Sequence, residues 1–185
     1  MIDVPVPGLV VLIGAAGAGK SSLAARLFEA SEILSSDAIR AAVSGDPADQ
    51  RVTRTAFSIL HREARVRLVA GRLVVVDATN VERAARLQLL RLGRETGAPA
   101  IAIAIVSPSA EVHARNAARP GRVVPADVVD RHLGRLARLG RNPAAIRASL
   151  AAEGFGATHV ITTEAELDGF GPIRRVAGRL MESGG

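Results

Sequence analysis

The hydrophobic residues of this chain form short continuous runs that alternate with longer stretches of helical spacing. Three runs rich in branched side chains, at residues 9–13, 73–76 and 101–106, are typical of buried parallel strands. Residues 32–34 and 159–162 are shorter strand candidates. Strands that alternate with helices predict right-handed β-α-β crossovers and a parallel sheet covered on both faces. We therefore predict an α/β three-layer sandwich with about five parallel strands.

The clearest helical period runs over residues 49–70, where apolar residues share one face and arginines the other, and Gly71 is a suitable stop. The same spacing predicts a helix at residues 127–139. Shorter helices are expected at residues 22–30 and 37–43. Helices therefore fill the intervals between the predicted strands.

A segment rich in proline and glycine, RPGRVVPA, separates two of these helices between Ala118 and Asp127. It has neither helical nor strand periodicity. We interpret the region around residues 115–140 as a lid.

Length and composition limit the architecture and the chemistry. The 185 residues, 48% of them hydrophobic, suit a single domain over residues 1–185. The absence of cysteine excludes disulfides, thiolate zinc sites and a cysteine nucleophile. No apolar run approaches the ~20 residues of a membrane-spanning helix, so no membrane association is expected. The N-terminal residues show no secretory signal, and a cytoplasmic location is the expectation.

The charge is basic, and nearly all of the positive charge comes from arginine. Lys and Arg number 24 against 18 Asp and Glu, a formal net charge of +6, which favours phosphate-bearing partners. Lys20 is the single lysine of the chain, and the arginine excess is also consistent with codon bias. Only 2% of the residues are aromatic, which weighs against single-strand binding by base stacking.

A glycine-rich motif follows the first predicted strand and opens the first predicted helix. The sequence GAAGAGKS matches the phosphate-binding pattern G-x-x-x-x-G-K-[ST]. Backbone N–H groups in such a loop point at phosphate oxygens, and the helix N-terminus adds partial positive charge. Lys20 is predicted to reach the β- and γ-phosphates of a nucleotide, and the Ser21 hydroxyl to bind Mg²⁺. The predicted phosphate-binding residues are Gly14, Ala15, Gly17, Ala18, Gly19, Lys20, Ser21 and Ser22.

The second predicted strand ends in a serine pair followed by Asp37, with Arg40 three residues later. Ligands of open parallel sheets bind beyond the carboxyl ends of the strands, so both side chains point toward the phosphate site if Asp37 opens a helix. Asp37 would then accept the proton of an attacking hydroxyl, and Arg40 would orient the acceptor. The alternative is that Asp37 caps the helix and Arg40 is solvated.

The third predicted strand ends in Asp77, followed by Ala-Thr-Asn. Four apolar residues and an aspartate are typical of a strand that holds a Mg²⁺-bound water. The sequence from Thr79 to Glu82 also forms a capping box for the next helix. We favour a functional Asp77 and a structural Thr79, and leave Asn80 open.

Three arginines, Arg115, Arg119 and Arg122, lead from a predicted helix into the lid. They are suited to close on a triphosphate and neutralise its charge during transfer, and the alternative is a solvated helix end. A further arginine stripe, Arg131, Arg135 and Arg138, has the spacing of one helix face. It suits a nucleic-acid backbone or, more commonly, a solvated surface. The histidines do not group with carboxylates at metal-ligand spacing, so no protein-held metal cluster is predicted.

These motifs, in this order, resemble the kinase domain of bacterial polynucleotide kinase-phosphatase, Pnkp, a 5′-hydroxyl polynucleotide kinase family. The matching stretches are GAAGAGKSS, ILSSDAIR, AFSILHREARVRL, LVVVDATNVERAAR, RNAARPGR and VVPADVVDRHL. The phosphate-binding motif is common to a very large superfamily. The later motifs are far narrower.

The resemblance implies transfer of the γ-phosphate of ATP, or of another NTP, to a 5′-OH end of RNA or DNA. It implies Lys20 and Ser21 on phosphate and Mg²⁺, Asp37 as general base, Arg40 at the acceptor and Arg115 in the lid. Arg119 and Arg122 match in spacing alone. In that family the kinase is usually fused to phosphatase and ligase-like modules. Three alternatives are therefore open here: a stand-alone enzyme, a partner of separate phosphatase or ligase modules, or an excised domain.

Two other functions fit the same motifs. Small-molecule kinases such as gluconate kinase and antibiotic phosphotransferases share the phosphate-binding loop, and they predict transfer to a free sugar or alcohol. An NTP-binding module predicts nucleotide binding without an acceptor. The sequence favours the polynucleotide kinase without excluding either.

Overall fold

The computed structural model describes residues 1–46, 49–119 and 123–178. Its strands are β1 (Ile2–Val6), β2 (Gly8–Ile13), β3 (Ile33–Ser35), β4 (Leu73–Asp77), β5 (Ala100–Ile105), β6 (Ala157–Ile161) and β7 (Ile173–Ala177). Its helices are α1 (Lys20–Leu27), α2 (Ser36–Ser44), α3 (Thr53–Val69), α4 (Arg83–Glu95), α5 (Ser109–Ala117), α6 (Ala126–Ala137), α7 (Pro143–Glu153) and α8 (Glu164–Gly169), and a 3₁₀ turn (Gln50–Val52) precedes α3.

Five parallel strands form the central sheet, in the order β3-β4-β2-β5-β6. The middle strand β2 pairs with β4 on one side and β5 on the other, so that Leu9 lies beside both Val74 and Ala100. Every residue of these three strands is buried. The predicted α/β fold with a five-stranded parallel sheet is confirmed.

Alternate side chains of the central strand enter two separate hydrophobic cores. Leu9 and Val11 pack in a core with α3, α4, α6 and α7. Val10 and Leu12 pack on the opposite face with α1, α8 and the strands β1 and β7. Burying each such side chain contributes roughly 1.5–3 kcal/mol, so both faces of the sheet are strongly held. The sheet therefore has a covering layer on each face, as the three-layer prediction required.

A second sheet of two parallel strands, β1 and β7, was not predicted. Its apolar side chains, among them Ile2 and Val4, join the core on the α1 side of the central sheet. Its polar side chains face outward, where Arg174 forms a paired hydrogen bond to Asp3 at 2.7 Å. The sequence signal is weak because both strands mix charged residues with apolar ones and β1 contains a proline, a residue typical of edge strands.

Most predicted helices lie within three residues of their expected bounds. The helix predicted over residues 49–70 begins as the 3₁₀ turn and continues as α3. Its predicted stop, Gly71, has φ 74°. The helix predicted over residues 127–139 is α6. Within the part of the chain that the structure describes, no helix is long and apolar enough to cross a membrane.

A buried ion pair between α4 and α7 supports the chain just after β4. Arg86 donates to both carboxylate oxygens of Glu153, at 2.8 and 2.7 Å, and to the carbonyl oxygens of Asn80 and Val81. Both side chains are almost completely buried. The pair and its carbonyl contacts therefore fix the turn that follows the candidate carboxylate Asp77.

Candidate active site

The glycine-rich loop joins β2 to α1 and has a backbone that only glycine tolerates at two positions. Gly17 and Gly19 have φ of 83° and 97°. A Cβ on Gly17 would lie 2.7 Å from the carbonyl oxygen of Val112, and a Cβ on Gly19 would lie 2.8 Å from the Leu167 side chain. Both positions need glycine for its dihedral freedom and for its lack of a side chain.

A cavity of about 480 Å³ opens above this loop, beyond the carboxyl ends of β2, β3 and β4. The predicted site residues that line it are Gly17, Gly19, Lys20, Ser21, Ser22, Asp37, Arg40, Asp77, Arg115 and Arg119. Gly14, Ala15 and Ala18 lie in the buried base of the loop rather than in the cavity lining. Arg122 lies outside the described residues. Motifs far apart in the sequence therefore meet in one cavity.

Lys20 lies inside the loop that carries it. Its side chain is nearly buried, and Nζ donates to the carbonyl oxygens of Gly14 at 3.0 Å and Ala15 at 2.8 Å. The first turn of α1 thus places the ammonium group in the curve of the loop. A compact charge with several donors suits a phosphate bound there.

Ser21 and Asp77 connect the loop to the end of β4. The Ser21 hydroxyl donates to Asp77 Oδ2 at 2.7 Å. A hydroxyl and a carboxylate are hard oxygen ligands, and Mg²⁺ in nucleotide sites commonly takes only one or two protein ligands. These two residues therefore fit a magnesium site that is completed by phosphate and water. The described parts of the chain contain no group of three or more His, Asp or Glu residues able to hold a metal by themselves.

Asp37 lies in the first turn of α2 and is held between two arginines. Its carboxylate forms an ion pair with Arg40, which is 6% exposed, and lies 3.6 Å from Arg119 Nη2. The helix cap is Ser35, whose Oγ accepts a hydrogen bond from the Ala38 amide at 3.4 Å. The interpretation of Asp37 as the helix cap, and of Arg40 as solvated, is therefore wrong. The carboxylate is available to the cavity because a serine two residues earlier caps the helix.

Arg115 lies on α5, which follows β5. Asp37 lies on α2, which follows β3, and these two strands are on opposite sides of β2 in the sheet. Its Nη2 contacts Glu111 at 3.0 Å and Glu164 at 3.6 Å. Its Nη1 is buried and has no hydrogen bond within the described residues. Two carboxylates thus orient this guanidinium group at the cavity wall.

The region predicted as a lid consists, where the structure describes it, of α5, α6 and parts of their connection. Asn116 holds the far end of the connection, because its side chain donates to the Val124 carbonyl at 2.7 Å and accepts from the Val124 amide at 3.1 Å. His113 and Asp130 join the two helices at 2.8 Å. The described ends of this region are therefore firmly attached to each other.

The turn after Asp77 is structural, but it is not the capping box that the sequence indicated. Helix α4 begins at Arg83 with Glu82 as its cap, and the Glu82 side chain makes no capping hydrogen bond. Asn80 adopts φ 47° and its buried amide donates to the Leu12 carbonyl at 2.7 Å. The Thr79 carbonyl accepts the Gly14 amide at 3.0 Å. This turn therefore joins β4 to the end of β2 and the base of the phosphate loop. Asn80, which the sequence left open, supports that connection.

The cavity residues that were not predicted as site residues include three polar or aromatic ones from helices α3 and α6. Thr53 and Phe57 lie one turn apart on α3, and His132 lies on α6. The spacing of Thr53 and Phe57 would have placed them on one helix face, but nothing in the sequence shows which face meets the loop. His132 Nδ1 lies 3.5 Å from the Ala16 amide, for which it is positioned as an acceptor.

His132 remains neutral over the physiological range. Burial, and then the positive charges of Lys20 and Arg135, lower the pKa of His132 to about 4. A neutral imidazole that accepts the Ala16 amide at Nδ1 carries its proton on Nε2. The ring is therefore available as a hydrogen-bond donor in the cavity without adding charge.

We expect the His132 ring signal in a proton NMR titration to have a midpoint near pH 4, with His132→Gln used to assign it. Because the folded pKa lies below the unfolded value near 6.5, the unfolded chain binds this proton first. The stability of the wild type relative to His132→Gln should therefore decrease as the pH falls from about 6.5 toward 4. A midpoint at or above 6.5 would contradict this environment for the ring.

The fold and the loop define a P-loop α/β protein, and comparison with known proteins gives its family. Residues 9–139 match the family model described as an AAA domain, and the chain belongs to that family. A comparison with curated protein sequences finds no match.

Several solved structures share the fold at low sequence identity. A chain in the Pnkp1/Rnl/Hen1 RNA repair complex is 22% identical with a TM-score of 0.63, and the match covers 72% of this chain and 45% of that one. A gluconokinase from Sinorhizobium meliloti 1021 is 20% identical with a TM-score of 0.56 and coverages of 89% and 87%. The Mycobacterium tuberculosis APS kinase CysC, solved with AMPPNP and APS, is 18% identical with a TM-score of 0.53 and coverages of 89% and 92%. The fold is thus shared with kinases that have unlike acceptors.

Proposed function

We propose that this protein is a P-loop kinase that transfers the γ-phosphate of ATP to the 5′-hydroxyl end of a polynucleotide. The observation that carries the proposal is the position of Asp37, which lines the same cavity as Lys20 and Ser21 and is held by Arg40. A carboxylate fixed opposite a phosphate loop is what a kinase needs to orient a hydroxyl. The motifs around these residues resemble the polynucleotide kinase family.

The donor side of the reaction is assigned to the loop and to α5. Lys20 and the loop amides would bind the β- and γ-phosphates, and Arg115 would neutralise charge on the nucleotide. Ser21, with Asp77 through water, would hold Mg²⁺, which supplies positive charge to the phosphate oxygens when bound. ATP is the proposed donor, and an NTP with another base would make the same phosphate contacts.

The acceptor side is assigned to α2 and the connection after α5. Asp37 would accept the proton of the hydroxyl, whose oxygen bonds to the γ-phosphorus while the bond from that phosphorus to the β–γ bridging oxygen breaks and ADP leaves. Arg40 would hold Asp37 in place, and Arg119 lies close enough to Asp37 to bind the phosphoryl group or the acceptor. Positioning and charge stabilisation supply most of the catalysis, because the transition state of phosphoryl transfer is loose.

A small-molecule kinase is the second candidate. The gluconokinase and APS kinase structures match this chain over most of both lengths, whereas the match to the RNA repair chain covers under half of that chain. A cavity of about 480 Å³ also lies within the usual range for small ligands. The RNA repair chain was solved as part of a complex. Separate phosphatase or ligase partners are expected only if this protein is a polynucleotide kinase.

The test is transfer of labelled γ-phosphate from ATP with Mg²⁺ to a panel of acceptors, with the full chain as the enzyme. We expect label on 5′-OH RNA or DNA oligonucleotides and none on the same oligonucleotides already phosphorylated at the 5′ end. Label on gluconate or another free alcohol, with none on oligonucleotide, would replace the proposed acceptor. ATP binding without transfer to any acceptor would favour a nucleotide-binding module.

A further inference from the structure

A second cavity of about 420 Å³ lies next to the candidate active site, between α4, α6 and α7. The two cavities share two structural elements. The turn after β4 contributes Thr79 to the first cavity and Val81 to the second. Helix α6 contributes His132 to the first cavity and Arg135 to the second, and its C-cap residue Arg138 also lines the second. The turn after β4 and helix α6 therefore connect the two cavities.

Arginine dominates the walls of this second cavity. Four arginines and two glutamates line it, an excess of two positive charges. One arginine and one glutamate, Arg86 and Glu153, are buried against each other and neutralise each other's charge. The remaining arginines provide the charge that an anionic ligand would meet.

These remaining arginines are not saturated by protein partners. Arg135 contacts Glu82 at 2.7 Å with both side chains partly exposed, and Arg83 lies 3.7 Å from Glu153. The exposed Arg138 side chain makes no hydrogen bond or ion pair with any residue that the structure describes. Exposed ion pairs contribute little to stability, so a phosphate exchanges readily for such partners.

The arginine stripe on α6 therefore divides into two parts. Arg131 pairs with Asp127 at 2.7 Å and lines neither cavity, which is the solvated surface expected of such a stripe. Arg135 and Arg138 line a concave surface together with Arg83 from another helix. A solvated helix face explains the position of Arg131. It does not explain why the other three arginines line one cavity.

The spacing along α6 matches a nucleic-acid strand. At 1.5 Å per residue, Arg138 lies about 9 Å along the helix axis from His132. A strand advances about 3.4 Å per nucleotide, so this distance corresponds to about two to three nucleotides. A small hydroxyl acceptor has no group to place there.

We propose that the second cavity binds the phosphodiester backbone of the acceptor strand, beyond the 5′-terminal nucleotide whose hydroxyl lies at Asp37. The proposal rests on the proposed function and adds the site that would make a strand a better acceptor than a single nucleotide. Guanidinium groups that contact phosphate contribute affinity irrespective of base sequence. The site would therefore select for chain length and leave base preference unaffected.

The experiment compares two acceptors, a 5′-OH oligonucleotide of about a dozen nucleotides and a nucleoside 3′-monophosphate, by kcat/KM. We expect the preference for the oligonucleotide to fall about tenfold in Arg138→Gln and in Arg135→Gln, in line with the affinity carried by one charge-assisted contact. The matched control is Arg131→Gln, which removes the same charge from the same helix outside both cavities. Anisotropy titrations with the labelled oligonucleotide should show the slope of log K against log salt reduced by about 0.7 in each test variant.

The outcomes separate this inference from the proposed function. Oligonucleotide transfer by the wild type, with equal effects in the two test variants and the Arg131→Gln control, would overturn the second cavity as a strand site and leave the kinase proposal intact. Failure of the wild type to phosphorylate or bind any 5′-OH oligonucleotide would overturn both. A selective loss in the cavity variants supports both.

Discussion

Lys20→Met should reduce phosphoryl transfer by at least about 10³-fold, because removal of one preorganised charge at a developing phosphoryl transition state has effects of this size or larger. Lys20 is the only lysine of the chain, and its ammonium group donates hydrogen bonds to two loop carbonyl oxygens at 2.8 and 3.0 Å. Methionine has a similar length and no charge, so it fills the loop without supplying donors. Single-turnover transfer from labelled ATP measures the loss.

Two further variants make this prediction specific. Lys20→Arg should not restore activity, because a planar guanidinium does not fit the curve of the loop that holds a compact ammonium. Arg62→Met, on an exposed part of α3, removes one positive charge elsewhere and should leave transfer unchanged. Transfer by Lys20→Met within about tenfold of the wild type, with normal thermal unfolding, would remove Lys20 from the proposed mechanism.

The central strands were predictable because their burial on both faces requires a continuous run of apolar residues, which is visible in the local sequence. A parallel strand buried on both faces must be apolar along its length, and β2, β4 and β5 are the three longest such runs. The phosphate loop was predictable because its backbone curvature fixes glycine at set positions. Gly17 and Gly19 show that requirement directly, since each has positive φ and a neighbour where a Cβ would lie.

The β1–β7 sheet was not predictable, because it is made by pairing across the whole chain. Asp3 and Arg174, which face each other across this sheet, are 171 residues apart. Neither strand has a continuous apolar run, and their apolar residues are specified only by the core they meet. Local periodicity contains no information about such a partner.

The residues of the candidate site likewise include some that could be placed from the sequence and some that could not. Asp37 and Arg40 could be placed near the loop because strand ends of a parallel sheet meet at one edge. His132 could not, because its contact with Ala16 joins residues 116 apart and depends on how α6 lies over the loop. Asn80 stayed undecided because its buried amide and positive φ are set by the turn rather than by its neighbours in sequence.

Asp37 is held by two arginines, Arg40 and Arg119, that come from different parts of the chain. Arg40 is buried and belongs to the same helix, so it holds the carboxylate whatever the acceptor is. Arg119 comes from the connection between α5 and α6, on the other side of the cavity. The carboxylate is thus positioned by the protein before any acceptor binds.

Asp37→Asn should lower transfer to the acceptor by about 10²–10⁴-fold, the range typical of a lost general base. Asparagine keeps the shape of the side chain, but it removes the negative charge and the ability to take a proton from a hydroxyl. The effect should fall on kcat, with nucleotide affinity retained, because Asp37 belongs to the acceptor side of the cavity. Transfer kinetics and ATP titration by calorimetry measure the two quantities separately.

The matched control for this prediction is Asp3→Asn, which also breaks an ion pair between aspartate and arginine but lies in the β1–β7 sheet. It should leave transfer unchanged. Unchanged turnover in Asp37→Asn would exclude this carboxylate as the base and leave orientation of the hydroxyl to other cavity residues. A loss in Asp37→Asn accompanied by an equal loss of ATP binding would instead indicate that the variant disturbs the phosphate loop.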